Sequence, residues 1–139
     1  MICVDASLVV KWLVKEEDST EAMNLYWNWV KNDCILIAPT LLDYEIGSVL
    51  VNKIRQKNFP SEDLNVAVHF YRKLPLQLFH EINLLEKAVS LARDFNERTI
   101  YDCSYLSLAL LKDAELFTAD LQFFQKASSS YPCVKYFKN

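Results

Sequence analysis

Four acids stand where an ordinary solvated surface does not call for them. Asp5 closes the apolar run Ile2-Cys3-Val4, and Asp120 comes two residues after Thr118 at the end of another short apolar run. Glu45 falls three residues after Leu42 and four before Val49, at the edge of a core-facing helical stripe. Asp102 opens a helical segment whose inward residues are expected to be Leu106, Ala109 and Leu110. Taken singly, each acid has a plain structural explanation. Asp5, Asp102 and Asp120 precede helical segments and can serve as N-caps, each worth about 1 kcal/mol. Glu45 lies inside a helix and can lift its head group to solvent. Taken together they imply more. Carboxylates brought together by the fold repel one another and raise their own pKa values unless a cation neutralises them. Mg²⁺ or Mn²⁺ is the natural occupant, since both prefer oxygen ligands and keep several waters. Such an ion activates a water and steadies charge on a phosphodiester.

The elements that must position these acids alternate along the chain. Short buried strands are predicted at 2–4, 34–38, 76–79, 115–118 and 134–137. Helices are predicted at 7–14, from a capping box Asp18-Ser19-Thr20-Glu21 onward, at 40–58 with Thr40 as cap, and at 60–73, 84–95, 102–111 and 121–127. Strand–helix alternation implies right-handed crossovers onto a mostly parallel sheet covered on both faces. The expectation is a three-layer α/β/α sandwich forming a single domain over residues 1–139. Its ligands belong beyond the carboxyl ends of the strands, where the strand order reverses.

Composition narrows the class. With 139 residues, 52% hydrophobic and 24% charged, the chain has the balance of a soluble globular domain, not a disordered segment. One glycine argues against a turn-dense β-sandwich. No apolar stretch reaches the roughly 20 residues needed to cross a bilayer, so no membrane association is expected. Residues 1–5 lack the basic region of a secretory signal. The four cysteines, Cys3, Cys34, Cys103 and Cys133, are too widely spaced for a zinc motif. They read as reduced core thiols of a cytoplasmic protein. The net charge of −3 does not exclude a polyanionic partner. With the four acids set aside, 14 remain against 15 Lys and Arg. Lys11, Lys15, Lys53, Arg55 and Lys57 are candidates to border the site and hold phosphates.

Four blocks of residues are specific as a set. Val4-Asp5-Ala6-Ser7-Leu8-Val9-Val10-Lys11-Trp12 resembles the opening of PIN-domain proteins, particularly VapC-type toxins of toxin–antitoxin pairs. The resemblance continues through Ala38-Pro39 with Leu42-x-x-Glu45, then Thr99-Ile100-Tyr101-Asp102-Cys103-Ser104-Tyr105-Leu106-Ser107-Leu108-Ala109, then Leu116-Phe117-Thr118-Ala119-Asp120. It implies that Asp5, Glu45, Asp102 and Asp120 form an acidic quartet holding Mg²⁺ or Mn²⁺. Thr118 supplies a supporting hydroxyl, and Ser7 is a small polar neighbour of the first acid. The implied activity is a metal-dependent endoribonuclease that hydrolyses RNA phosphodiester bonds as the toxin of such a pair. A small antitoxin protein and a homodimeric state go with it. Trp12, Tyr26, Trp27 and Trp29 are the expected receiving surface for the antitoxin.

Two other classes compete. Phosphotransfer through an aspartyl-phosphate also uses an Asp after the first strand. Haloacid-dehalogenase-like enzymes want a second Asp two residues on, where Ser7 stands. A non-catalytic PIN-like protein-binding module is the alternative reading, and the intact quartet counts against it.

Overall fold

The computed structural model describes residues 1–138. Ile2–Val4 forms the first strand, β1, with three apolar residues all buried. A strand apolar on both faces must be covered on both, which is the habit of a parallel sheet. It is followed by α1 (Ala6–Leu13), α2 (Ser19–Lys31), β2 (Leu36–Pro39) and α3 (Leu41–Arg55). A 3₁₀ turn (Ser61–Asp63) then leads into α4 (Leu64–Lys73), β3 (Leu76–Phe79) and α5 (Leu84–Asp94). The chain continues with α6 (Tyr101–Leu111), β4 (Glu115–Thr118), α7 (Leu121–Ala127) and β5 (Val134–Tyr136).

The strands form one sheet in the order β3-β2-β1-β4-β5, every pairing parallel. Cys3 of β1 lies opposite Ile37 on one side and Leu116 on the other. The chain builds outward from β1 through β2 to β3, then crosses back to lay β4 on the other side of β1. The order therefore reverses between β1 and β4, and a crevice belongs beyond their carboxyl ends. This is the expected three-layer α/β/α arrangement. The central strands β1 and β2 are wholly buried, whereas β3 and β5 at the edges are only partly so.

Helix α6 packs under β1, β2 and β4, with α5 against it. Seven consecutive residues, Cys103 to Ala109, are buried, so α6 is enclosed on all sides. The expected inward stripe was narrower than this. Leu106 and Ala109 are buried as anticipated, but Leu110 is only half-buried. The two buried serines turn their hydroxyls onto their own helix. Ser104 Oγ donates to the Ile100 carbonyl at 2.8 Å, and Ser107 Oγ to that of Cys103 at 2.7 Å.

Several local expectations shift. Asp18 does precede α2, but it adopts a left-handed φ of 66° and makes no capping bond. Its carboxylate pairs with Lys138 at 2.6 Å instead. Four helices end on a left-handed residue that is not glycine: Asp33, Lys57, Asn96 and Asp113, with φ between 50° and 57°. Cys34 N–H then reaches the Trp29 carbonyl at 3.0 Å, and Glu97 N–H that of Ala92 at 2.8 Å, the bonds of a Schellman ending. A chain with one glycine closes its helices largely with Asp and Asn, the residues that tolerate this conformation best. The tryptophans also divide. Trp12, Trp29 and Tyr26 are buried and pack together, ring centroids of Trp12 lying 5.0 Å from Tyr26 and 6.4 Å from Trp29. Only Trp27, 56% exposed, offers a surface.

Candidate active site

Asp5 follows β1 directly and caps α1. Its Oδ1 accepts from the Leu8 N–H at 3.0 Å and from Ser7 Oγ at 2.7 Å. Asp120 does the same work after β4, its Oδ1 accepting from the Phe123 N–H at 2.9 Å as the cap of α7. Both cap assignments are therefore correct, and both caps also stand at the switch point. Asp102 is no cap. Helix α6 begins at Tyr101 behind Ile100, so a capping role does not account for the acid. Glu45 sits in the second turn of α3, and its Oε2 accepts from the phenol of Tyr105.

Hydroxyls tie the two strand ends together. Ser7 has one proton and gives it to Asp5, so its lone pairs serve the Ala119 N–H at 2.9 Å and Thr118 Oγ1 at 3.3 Å. Thr118 Oγ1 in turn accepts from the Asp120 N–H at 2.9 Å. Ser7 and Thr118 thus bind the loop after β4 to the carboxylate after β1.

Asp5, Glu45 and Asp102 line one pocket of about 410 Å³ together with Ser7, Lys11, Glu16, Lys53 and Tyr105. Asp120 is half-buried behind Ala119, close enough for its charge to act on Asp102. Asp5 is 3% exposed. Burial pushes its carboxyl up to about 6, while the nearby Thr118 hydroxyl and the hydrogen bonds from Ser7 and Leu8 pull it down. Asp102 is pushed up to about 7, by burial first and then by the charges of Asp5, Asp120, Glu45 and Glu97. Burial also raises Glu45, against the hydrogen bond from Tyr105. Among the described residues, no three acid, histidine or cysteine side chains are drawn tightly enough to cage an ion as they stand.

The donors nonetheless fit a hard divalent cation. All are carboxylates or hydroxyls, and among the described residues none of the four acids forms an ion pair. Mg²⁺ normally takes only one or two protein carboxylates and keeps its remaining waters. Both histidines, His69 and His80, are exposed and lie elsewhere.

Of the candidate basic residues, Lys11 and Lys53 reach the pocket. Lys15, Arg55 and Lys57 are exposed and do not line it. Two polar pocket residues, Tyr105 and Glu16, have no role assigned from the sequence. Tyr105 was detectable, since three residues after Asp102 on a helix is the same face. Glu16 lies in the α1–α2 loop, where no periodicity marks it. Cys103 is buried, and burial pushes its thiol up to about 11, as suits packing and not chemistry.

The fold is similar to that in the crystal structure of PAE2754 from Pyrobaculum aerophilum. The TM-score is 0.71 over 99% of this chain and 89% of that one, at 22% sequence identity. Comparison with curated proteins finds no match. The sequence matches the profile of the PIN domain over residues 2–128. That span includes all four acids and both strand ends that carry Asp5 and Asp120, and the chain belongs to the PIN domain family.

Proposed function

We propose that this protein is a Mg²⁺- or Mn²⁺-dependent endoribonuclease, the toxin component of a toxin–antitoxin pair. PIN domains are generally nucleases and typically use divalent metals. The observation that carries the reading is the gathering of Asp5, Glu45 and Asp102 around one pocket with Asp120 at its border, none of the four in an ion pair among the described residues.

Asp5 and Asp102 would hold the metal, with Glu45 and Asp120 taking part directly or through water. The ion supplies a water of lowered pKa and a counter-charge for the phosphodiester. The protein's own part is orientation. Ser7 and Leu8 fix Asp5 through Oδ1 alone, leaving Oδ2 outside those bonds. Tyr105 locks the Glu45 carboxylate toward α6, and the Thr118 hydroxyl holds the backbone that delivers Asp120. Carboxylates set in advance cost no reorganisation when charge develops, and this is where the catalytic advantage lies.

The direct test is cleavage of single-stranded or looped RNA in Mg²⁺ or Mn²⁺, with complete loss on adding EDTA. Undiminished cleavage in chelator overturns the reading. A non-catalytic binding module predicts, in addition, no thermal stabilisation by Mn²⁺.

Restraint by a small antitoxin and a homodimeric state belong to the same proposal. Trp27 stands at a groove with Trp12, Leu13 and Met23, a surface suited to an apolar helix of a partner. Leu85 and Val89 of α5, with Ile82 just before it, leave an exposed apolar edge that a second copy can cover. A monomer mass in light scattering at micromolar concentration rejects the dimer.

A further inference from the structure

The pocket that gathers the carboxylates also contains a cationic corner. Lys11 comes from α1, Lys53 from the last turn of α3, and Glu16 from the loop between α1 and α2. Both ammonium groups converge on the one carboxylate. Lys11 Nζ lies 3.5 Å from Glu16 Oε2, and Lys53 Nζ pairs with Oε1. The side chains are mostly withdrawn from solvent, at 15% exposure for Lys11, 21% for Lys53 and 27% for Glu16. Lys11 is further held by the Glu17 carbonyl at 3.0 Å and lies 5.8 Å over the Phe137 ring. Ordering two long lysines in one cleft costs side-chain entropy that a single, partly exposed carboxylate does little to offset. Two ammonium groups on one carboxylate also leave an excess positive charge facing the pocket. Among the described residues, neither lysine pairs with Asp5, Glu45, Asp102 or Asp120.

We infer that Lys11 and Lys53 form a seat for an RNA phosphate flanking the scissile one, and that Glu16 occupies this seat until the phosphate displaces it. This rests on the ribonuclease reading above. A phosphodiester and a carboxylate each carry one negative charge, so the exchange leaves the local balance unchanged. Two non-bridging phosphate oxygens can take the two ammonium groups as Oε1 and Oε2 now do. The loop allows the exchange. Ser19 Oγ accepts from the Glu16 N–H at 2.9 Å and donates to the Val14 carbonyl at 3.0 Å, which holds the backbone while the side chain swings away. Lys11 keeps its contacts with Glu17 and Phe137 throughout.

The test is equilibrium binding of a short labelled single-stranded RNA by fluorescence anisotropy. It is run in chelator at low salt, so that cleavage does not intervene. Glu16→Gln should tighten binding about two- to fivefold, the scale of one partly exposed ion pair. Lys53→Met should weaken it and lower the salt dependence of log K by about 0.7, the loss of one phosphate contact on a single strand. In the triple variant with Lys11→Met and Lys53→Met, the gain from Glu16→Gln should vanish. In the metal-loaded enzyme these changes should appear chiefly in KM. Unchanged affinity and salt slope in folded Glu16→Gln and Lys53→Met proteins overturn the seat even if wild type cleaves RNA. A wild type that does not bind the strand overturns it as well. Binding that responds as described, in a protein that never cleaves RNA with Mg²⁺ or Mn²⁺, instead sinks the ribonuclease reading and leaves the seat standing.

Discussion

Two groups of acids in this molecule are treated oppositely by the fold. At the periphery several are matched. Asp43 takes the phenol of Tyr71 at 2.8 Å and Arg72 at 3.4 Å, Glu81 pairs with Lys112, Glu97 with Lys126, and Glu115 with Lys135. At the carboxyl ends of β1 and β4, Asp5, Glu45, Asp102 and Asp120 join none of the ion pairs among the described residues. Exposed pairs contribute little and are interchangeable, because water already screens them. Withdrawing Asp5, Glu45 and Asp102 from water is a standing cost, since it disfavours their charged forms, and at Asp102 the neighbouring carboxylates add repulsion. Stability alone does not select such a set. The difference separates acids paired with bases at the surface from acids gathered at the switch point without an ion pair.

The sharpest way to break this comparison is to remove charge from the unmatched set. Asp5→Asn and Asp102→Asn should each lower RNA cleavage by at least about 10²-fold, the scale of losing one electrostatic element in a preorganised site. Both proteins should stay folded, and the metal-free melting temperature of Asp102→Asn should hold or rise as repulsion is relieved. A folded variant with near wild-type cleavage would return that residue to a purely structural role.

Proton and metal should substitute for each other in stabilising the site. The folded-state values of Asp5, about 6, and Asp102, about 7, lie above the 3.8 usual for the group. The folded form therefore holds protons that the unfolded form has lost. The associated stability is fully present below the unfolded value and disappears as pH rises through 6 and then 7. In chelator, the melting temperature should climb as pH is lowered from about 8 to about 5.5. Mn²⁺ at a hundred times its dissociation constant should add about 2.7 kcal/mol near neutral pH. A flat pH profile together with no response to metal would remove the distinction between the two sets.

The matched set should respond in stability and not in catalysis. Tyr71→Phe removes the phenol that joins α4 to Asp43 of α3 and should cost about 1 kcal/mol in denaturant unfolding. Cleavage should be unaltered, and a fall in kcat would extend the active site to α4. Smallest of all, Lys135→Ala breaks a 3.8 Å pair between half-exposed side chains and should change stability by about 0.5 kcal/mol or less.

Much of this was legible in the sequence for a physical reason. Strands buried on both faces must be apolar throughout, so Ile2-Cys3-Val4 and Leu36-Ile37-Ala38 announce themselves, and helical stripes repeat every three to four residues. An acid at the end of such a strand is conspicuous, as Asp5 and Asp120 are. Periodicity reports which side of an element is apolar, but not which elements meet. Helix α6 shows the limit: buried on all sides, it has little amphipathic contrast, and Asp102 looked like one more cap. The tryptophans show it too, since Trp27 and Trp29 are two residues apart in sequence, yet one is exposed and the other buried.

Only the tertiary structure decided the contacts across long separations. Glu45 and Tyr105 are 60 residues apart, and Ser7 and Ala119 are 112 apart. Nothing local links such pairs; they meet because β4 is laid beside β1 and α6 beneath them both. Lys11, Glu16 and Lys53 likewise come from two helices and a loop. By itself the sequence determined which residues are apolar, where elements start and stop, and which side chains carry charge, because these depend on near neighbours. Which charges share one pocket depends on how the strands are ordered, and that is settled only when the whole sheet packs.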